Sequence, residues 1–470
     1  MEKTLLGAVQ LILDYLEENQ NCASHIVNYR TPEQLVQAFD LSIGSQGLGE
    51  YEALLPILEE YLNHSVKTGH RQFCNQLFAG FNFPAFLGEV FTALTNTSMY
   101  TYEVAPLATL MEKHLIEKMC QLAGFPNGEG TFTTGGSNAN LIALLCARQR
   151  YFPNIKEQGM QGLPPLVCFV SDQAHYSFQK AALVLGVGTD HIIEVATDDQ
   201  GCMIPAALED AITDCLASGK KPLIVAATTG TTVLGAFDPL PAIGTIAQKY
   251  DIWFHVDAAF GGSVLLSQTY AYLMDGCAQA DSITWDPHKM MNIPLISSTL
   301  LVKEPGQLHS ACSTDGGVYL FHEQDYDALQ YELGRSSLSC GRRVDSLKLW
   351  LAWRYFGDKG YEKRINRLFR LAGYAARVIK NHNRLVLAAP PQSVTVCFRY
   401  MPQKPANLDQ FTLQLRDRLV KSGASLVNYS QLRGEIVIRM VFVNGDMHET
   451  DFDQFLERVL EHGSELERAL

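Results

Sequence analysis

Short apolar segments alternate with helical patterns through the middle of the chain, and this alternation restricts the possible folds more than any other feature. The segments predicted as strands are 166–170, 192–195, 223–227, 252–256, 282–285 and 298–302. Helical patterns at 140–150, 176–185 and 206–216 fall between several of them. Strands of this kind, bounded by Gly, Pro and Asp, indicate βαβ units. The sequence therefore predicts an α/β fold with a mainly parallel central sheet that helices cover on both faces.

Helical patterns precede this region. In residues 1–65, apolar side chains recur at helix spacing, as at Leu5, Val9, Ile12 and Leu16. Thr31 followed by a proline is typical of a capped helix start. An amphipathic segment of this size has little of its own to pack against. We therefore predict an N-terminal helical segment at 1–93 that forms an interface with a partner subunit.

The C-terminal part follows a different pattern, which predicts a small α+β lobe. A long helical segment runs from 341 to 380, strands are predicted at 394–400 and 436–443, and helices at 411–421 and 451–466. We place a large domain at 94–349 and a small C-terminal domain at 350–470.

Composition and charge exclude several classes of protein. The chain has 470 residues, of which 47% are apolar and 19% are charged, so it can build a large globular interior. No apolar run approaches the roughly 20 residues that span a bilayer, and no signal-peptide pattern opens the chain, so we expect no membrane partner. The net charge of −13 disfavours nucleic acid as a partner. The 11 scattered cysteines, with no C-x-x-C pair, favour reduced thiols and a cytoplasmic location.

Two polar residues follow predicted strands directly. Asp257 comes after the strand at 252–256, and Lys289 follows Pro287 and His288 after the strand at 282–285. In sheets of this kind, ligands bind at the carboxyl ends of strands. A desolvated lysine can react with an aldehyde cofactor, and a buried acid can keep the pyridine nitrogen of pyridoxal phosphate (PLP) protonated. The pair therefore indicates a PLP site, where the small Ala259 would let a flat ring approach closely.

Other residues in this region have more than one interpretation. The loop at 133–138 contains Gly136 and Ser137 and precedes a helix, so its N–H groups could hold a phosphate, although an ordinary glycine turn is the alternative. His175 precedes a helix at the same sheet edge and could stack on the cofactor ring, although a satisfied loop histidine is the simpler interpretation. The spacing of His255, Asp257, Asp286 and His288 matches no common metal motif, so we predict no metal site.

The chain resembles the group II PLP-dependent decarboxylases over residues 70–466, most closely the animal-type acidic amino-acid decarboxylases that act on glutamate, cysteine sulfinate or aspartate. The resemblance is carried, in order, by FCNQL at 73–77, NTSMYTYE at 96–103, GTTVLGAFDP at 230–239, HVDAA at 255–259, PHKM at 287–290, CGRRVD at 340–345 and IRMV at 438–441. It implies a PLP-dependent transferase fold of type I, with 94–349 as the PLP-binding domain. It also implies an obligate homodimer with active sites at the interface.

Matching positions imply roles for individual residues. The resemblance implies that Lys289 binds PLP covalently, that Asp257 pairs with the ring nitrogen and that His175 stacks on the ring. It implies further cofactor contacts from Gly136, Ser137, Thr228, Ala259 and His288. It also implies that Arg439 binds the substrate α-carboxylate, that Gln76 lies at the substrate end, and that Tyr319, on a catalytic loop, donates a proton.

Departures from the family bear on the substrate. Asp286 replaces the asparagine of most members, and Phe78 replaces a small hydroxyl residue of glutamate decarboxylases, which would shorten the pocket. We therefore predict a PLP-dependent decarboxylase of aspartate, cysteine sulfinate or cysteate, with glutamate as the alternative. Since residues 315–317 near Tyr319 also diverge, a PLP-binding homologue with altered or no activity is a further alternative. An aminotransferase or carbon–sulfur lyase would share Lys289 but lack the match outside the PLP lobe, and the missing G-x-G-x-x-G disfavours a dinucleotide oxidoreductase.

Overall fold

The computed structural model of the chain describes residues 1–21, 23–314 and 329–469. The strands in these ranges are β1 (Phe73–Cys74), β2 (Glu129–Thr133), β3 (Leu166–Ser171), β4 (Ile192–Val195), β5 (Lys221–Thr228), β6 (Trp253–Asp257), β7 (Ser282–Trp285), β8 (Ser298–Val302), β9 (Leu385–Leu387), β10 (Thr395–Tyr400), β11 (Leu426–Leu432) and β12 (Glu435–Val441). The α-helices are α1 (Glu2–Gln20), α2 (Pro32–Ala38), α3 (Leu54–His64), α4 (Phe83–Thr95), α5 (Pro106–Leu122), α6 (Gly136–Tyr151), α7 (Ile155–Gln158), α8 (Ser177–Val184), α9 (Pro205–Ala217), α10 (Leu240–Lys249), α11 (Gln307–Cys312), α12 (Ser346–Asn381), α13 (Leu408–Lys421) and α14 (Glu449–Arg468). Short 3₁₀ helices lie at Tyr51–Ala53, Thr189–His191, Gly261–Leu266, Ala271–Met274, Cys277–Gln279, Leu329–Tyr331 and Leu333–Ser336.

The chain forms two compact units. One comprises Asn82–Phe369, and the other combines Met1–Phe81 with Arg370–Leu470. The division into domains at 1–93, 94–349 and 350–470 stays a prediction, because compactness alone does not define a domain that folds independently.

The unit of residues 82–369 is built on a seven-stranded sheet with the order β2-β8-β7-β6-β5-β3-β4. Neighbours from β7 to β4 run parallel, and β8 is antiparallel to both β7 and β2. All residues of β3, β6, β7 and β8 are buried, as expected of strands covered on both faces. The predicted α/β fold with a mainly parallel sheet is confirmed.

Helix α6 connects the antiparallel edge of this sheet to its interior. It begins at Gly136, four residues earlier than the predicted start at 140, directly after Gly135 with its φ of 125°. Its buried face includes Ala139, Ile142 and Ala143, which belong to a large apolar cluster. Asn140 is buried in the same helix, so a polar side chain lies among these apolar residues.

The second unit contains a five-stranded sheet with the order β1-β11-β12-β10-β9. Strand β12 lies at its centre, where Arg439 is paired with Cys397 on one side and Asn428 on the other. The predicted cap at the start of α2 is confirmed: Thr31 Oγ1 accepts a hydrogen bond from the Gln34 N–H at 3.3 Å, and the Gln34 side chain accepts one from the Thr31 N–H at 2.9 Å.

Helix α12 is interrupted at Gly357, where φ is 63° and ψ is 178°. Its bounds otherwise agree with the predicted long helical segment. Among the residues that the structure describes, none of the helices combines the length and the apolarity needed to cross a bilayer.

Candidate active site

The turn that follows β7 holds the side chain of Lys289 against a buried acid. The Lys289 N–H donates to the Asp286 carbonyl at 3.0 Å, which closes the turn. The Lys289 Nζ lies 3.2 Å from Asp286 Oδ2, and the Ser298 hydroxyl donates to Asp286 Oδ1 at 2.5 Å. Since Asp286 is only 1% exposed, its charge is compensated by these partners rather than by solvent. The lysine amine is thereby fixed at the carboxyl end of a central strand.

His288 supports the same turn. Its Nδ1 lies 2.6 Å from the Ser297 carbonyl oxygen, which can only accept, so Nδ1 carries the proton. Its Nε2 lies 3.6 Å from Asp286 Oδ2. Burial lowers the pKa of His288, and the charge of Asp286 opposes that effect. A neutral imidazole with a fixed tautomer therefore lies beside Lys289.

Asp257 ends the neighbouring strand β6 and is held at both carboxylate oxygens. The Ala259 N–H donates to Oδ1 at 3.1 Å, and Asn140 Nδ2 donates to Oδ2 at 2.8 Å. The register pairs Asp257 with Thr228 on β5 and with Thr284 on β7. A buried carboxylate held in this way can keep a proton on a basic ring nitrogen placed against it.

The first turn of α6 approaches the lysine turn so closely that only glycine fits. A Cβ at Gly136 would lie 2.8 Å from Asp286 Oδ2 and 3.4 Å from the Ala259 Cβ. Ser137 follows in the same turn and is exposed. The N–H groups and the positive end of the helix dipole at this point suit a phosphate.

Thr228 and His175 lie on adjacent parts of this sheet edge. The buried Thr228 hydroxyl has no hydrogen-bond partner among the residues that the structure describes, while its N–H donates to Asp238 Oδ2 at 2.7 Å. His175 Nδ1 accepts a hydrogen bond from the Ser177 N–H at 3.3 Å. Burial lowers the pKa of His175, against the attraction of Asp257, so its ring is a flat neutral surface.

These groups together fit PLP. The amine of Lys289 can bind the aldehyde, Asp257 can hold the ring nitrogen, and the start of α6 can hold the phosphate. The Thr228 hydroxyl offers a hydrogen bond that no described side chain takes up.

The predicted substrate residues belong to the other compact unit. Arg439 is buried on β12, and its Nη2 donates to the Asn75 carbonyl at 3.0 Å. Gln76 is the next residue and is exposed, and the half-buried Phe78 has its ring 6.2 Å from the ring of Phe73. Within this unit the structure therefore brings Arg439 to the segment that contains Gln76. Tyr319 and residues 315–317 lie outside the described residues.

Two residues that the sequence did not predict also belong to this region: Asn140 donates to Asp257, and Asp238 holds the end of β5. Asp238 Oδ1 accepts from the Met203 N–H at 2.6 Å, in addition to its bond from Thr228. The available signal for Asn140 was its position among mainly apolar residues in the buried part of a helix. Asp238 belongs to the quoted GTTVLGAFDP segment, but its spacing gives no indication of its partners.

Known proteins resemble this chain over nearly all of its length. Human cysteine sulfinic acid decarboxylase is 39% identical over 479 aligned positions, covering 99% of this chain and 97% of the relative. Human acidic amino acid decarboxylase GADL1 is 37% identical, with 97% and 90% covered. The crystal structure of mouse CSAD superposes with a TM-score of 0.94 at 38% identity, covering 98% of each chain. That of Oryza sativa TDC with PLP and tryptamine gives a TM-score of 0.90 at 25% identity, with 99% and 98% covered.

The family described as pyridoxal-dependent decarboxylase conserved domain matches residues 32–401. The predicted type I fold and the PLP cofactor are confirmed by this match and by the solved structures. The chain belongs to the pyridoxal-dependent decarboxylase family and is a PLP-dependent carboxy-lyase.

Proposed function

We propose that this protein decarboxylates small acidic L-amino acids, releasing CO2 and the corresponding amine. The observation that carries the proposal is the sheet edge where a lysine amine and a buried, doubly anchored carboxylate follow neighbouring strands. Two full-length relatives, named for cysteine sulfinic acid and for acidic amino acids, support the substrate class.

PLP bound through Lys289 supplies an electron sink for the electron pair left at Cα when CO2 departs. Asp257 holds the proton on the ring nitrogen, because a buried anion stabilises a cation placed against it. His175 covers one face of the ring, while Gly136, Ser137 and His288 bind on the phosphate side. Thr228 and Ala259 complete the set of cofactor contacts in this proposal.

Three further residues act on the substrate in this proposal. Arg439 binds the α-carboxylate, because a buried guanidinium is suited to two parallel hydrogen bonds with a carboxylate. Gln76, which follows the Asn75 carbonyl that Arg439 contacts, binds the substrate end. Tyr319 returns a proton to Cα, a role that follows from the family resemblance.

Phe78 limits the length of the substrate side chain in this proposal. Its half-buried ring occupies space that a small hydroxyl residue would leave open. One additional methylene group is worth about ten- to two-hundredfold in specificity at an apolar wall, so glutamate should be disfavoured by a factor in that range.

The test is a comparison of kcat/KM for aspartate, cysteine sulfinate, cysteate and glutamate, measured as CO2 release with added PLP. We expect the three shorter substrates to be preferred, and Phe78→Ser to raise the relative rate with glutamate. A wild-type preference for glutamate would contradict the size argument. Intact cofactor absorbance without CO2 release from any of the four would contradict the proposed activity.

The proposed active form is a homodimer in the cytoplasm. Large apolar side chains are exposed on three helices of this chain, namely Leu5, Leu6 and Leu13 on α1, Ile57 and Leu58 on α3, and Phe83, Phe91 and Leu94 on α4. Apolar clusters of this kind are typical of subunit interfaces. The ten cysteines that the structure describes are free, which supports a reducing compartment.

A further inference from the structure

A line of buried side chains leads away from Asp257 into the sheet. Asn140 donates to Asp257 at 2.8 Å, His255 Nε2 lies 3.1 Å from Asn140 Oδ1, and His255 Nδ1 lies 2.8 Å from Ser282 Oγ. Trp253 Nε1 donates to Ser282 Oγ at 2.8 Å. We call Asn140, His255, Ser282 and Trp253 the relay. All four side chains are fully buried, so no solvent competes for these hydrogen bonds.

The hydrogen bonds of the relay have one consistent direction from donor to acceptor. The Asn140 amide presents its N–H groups to Asp257 and Ser177, so its Oδ1 faces His255 Nε2 as an acceptor. The neutral ring then leaves Nδ1 to accept from the Ser282 hydroxyl, whose oxygen accepts from the indole N–H of Trp253. The neutral imidazole then carries its proton on Nε2 and donates it to Asn140 Oδ1. The Asn140 amide in turn donates to Asp257. Each link therefore fixes the next one, and the last link points at the carboxylate.

A second donor locks the amide of Asn140. The Thr284 hydroxyl donates to Asn140 Oδ1 at 2.8 Å, and the remaining Asn140 N–H donates to Ser177 Oγ at 2.9 Å. If the amide were flipped, its oxygen would face the Asp257 carboxylate and its N–H groups would face His255 and Thr284. That arrangement replaces an attraction with a repulsion inside a buried site, so only one orientation is stable.

We propose that Asn140 and His255 are positioning residues of the PLP site, which fix the orientation of the Asp257 carboxylate and leave its charge for the ring nitrogen. The proposal rests on the PLP chemistry of the family but not on the identity of the substrate. The relay acts by its hydrogen bonds and contributes no charge of its own.

The neutrality of His255 is essential to this role. Complete burial lowers the pKa of His255 to about 4, against the attraction of Asp257, so the ring is uncharged near neutral pH. A cationic imidazole in this position would compensate Asp257 from behind and weaken its hold on the ring proton. A neutral relay instead orients the carboxylate while its negative charge stays available to the cofactor.

The first test compares two buried threonine hydroxyls on adjacent strands. Thr284→Val removes a donor to Asn140, whereas Thr299→Val removes a hydroxyl that donates only to the Trp285 carbonyl at 3.0 Å. Titration of the full-length apoprotein with PLP gives the dissociation constant without any substrate. We expect Thr284→Val to weaken PLP binding severalfold and to shift the absorbance of the bound cofactor. Thr299→Val should leave the PLP dissociation constant and the cofactor absorbance unchanged. Equal effects of the two variants would show that these hydrogen bonds have only a structural role and would overturn the proposal.

The second test removes and restores single links. Asn140→Leu leaves one oxygen of Asp257 without its donor, so PLP affinity should fall by about ten- to a hundredfold. His255→Leu should also weaken PLP binding, and His255→Gln should restore it, because the glutamine amide can donate to Asn140 Oδ1. Unchanged PLP affinity and an unchanged spectrum in Asn140→Leu would refute the proposal. If Asn140→Leu does not fold, the threonine pair and the His255 variants decide the question.

Discussion

The carboxylate of Asp286, which departs from the asparagine that the family resemblance implies at this position, forms an ion pair with Lys289. Its Oδ2 lies 3.2 Å from the Lys289 Nζ, and it sits beside the helix turn proposed to bind the phosphate. This negative charge holds the amine in an ion pair and repels an anionic phosphate. The residue therefore opposes the entry of the cofactor that the rest of the site is built to accept.

We predict that Asp286→Asn speeds the covalent uptake of PLP by the apoprotein by roughly three- to tenfold, because a single charge contact in a partly screened site is worth about 1 kcal/mol. Stopped-flow absorbance after mixing the apoprotein with PLP measures this rate. Asp358→Asn makes the same change in net charge at an exposed ion pair with Lys118 and is the control. A rate for Asp286→Asn no faster than that of the control would show that the carboxylate does not hinder PLP entry.

Asp238 gives a second prediction at the scale of one residue. Burial raises its pKa from the ordinary value of 3.8 to about 6, although two backbone N–H groups favour the anion. A carboxyl whose pKa is higher in the folded state stabilises the fold fully below pH 3.8 and loses that contribution as the pH rises through about 6. The contribution lost is up to about 3 kcal/mol.

Denaturant unfolding of wild type and Asp238→Asn at a series of pH values tests this dependence. The variant cannot titrate at this position, so the difference between the two free energies of unfolding isolates the residue. We expect wild type to lose stability relative to the variant between about pH 4 and about pH 6. A difference that stays constant over this range, or changes in the opposite direction, would contradict the pKa direction.

Among the elements, α4 and α12 make an unusually close contact. A Cβ at Gly88 would lie 2.5 Å from the Lys348 Cα and 2.8 Å from the Lys348 N, both backbone atoms that cannot move aside cheaply. The buried Lys348 side chain pairs with Glu89 and with Asp345, which holds the two helices at this distance. The glycine is therefore required by the approach of one backbone to another.

We predict that Gly88→Ala lowers the free energy of unfolding by about 1–3 kcal/mol, because the overpacked helix must shift. Gly373→Ala is the matched control, since it lies inside α12 with no atom closer than 3.8 Å to a new Cβ. That change should stabilise its helix by about 0.5–1 kcal/mol. Calorimetry of both variants measures the effects, and a stable Gly88→Ala would mean that the helices can separate without cost.

How far the elements could be predicted depended on the kind of burial. Strands β3, β7 and β8 agree closely with the predicted segments, because strands covered on both faces are short apolar runs. Strand β4 also agrees, although it lies at the sheet edge and is only partly buried. Strand β11 was missed because its polar residues Asn428, Ser430 and Gln431 interrupt such a run. Strand β1 has only two residues, too few for any periodicity. Helices α4, α5 and α10 were also not predicted individually.

The residues of the site also differ in how far the sequence could predict them. Lys289 and Asp257 were predictable because each directly follows a strand, and position at a strand end is a local property. The partners of Asn140 lie 37, 115, 117 and 144 residues further along the chain, so no local pattern could indicate them. The proposed roles of Arg439, Gln76 and Tyr319 came from the family resemblance and not from local chemistry.

At the scale of the whole molecule, the exposed apolar surface predicts association. Phe91 and Leu94 on α4 are 53% and 75% exposed, which is a costly arrangement for a protein that stays monomeric. We predict that Phe91→Glu combined with Leu94→Glu converts the proposed dimer to monomers, because burying two carboxylates in an apolar interface is unfavourable.

Sedimentation velocity at micromolar concentration measures this change. Leu216→Glu, at a 47% exposed position on α9, is the control for an added charge on an apolar surface residue and should remain dimeric. A wild-type chain that sediments as a monomer would contradict the proposed homodimer. A dimer that survives both α4 substitutions would place the contact on another surface.

The long sequence separation within the relay also sets an order of events during biosynthesis. Asp257 gains its donor from α6 only when that helix lies against β6, and Asn140 is locked only after β7 has delivered Thr284. A nascent chain that ends before residue 284 therefore has the acid and the relay residues but lacks the Thr284 hydroxyl that locks Asn140. Binding of PLP should accordingly be a late step of maturation. In refolding chains, PLP affinity should rise only when the central sheet is complete.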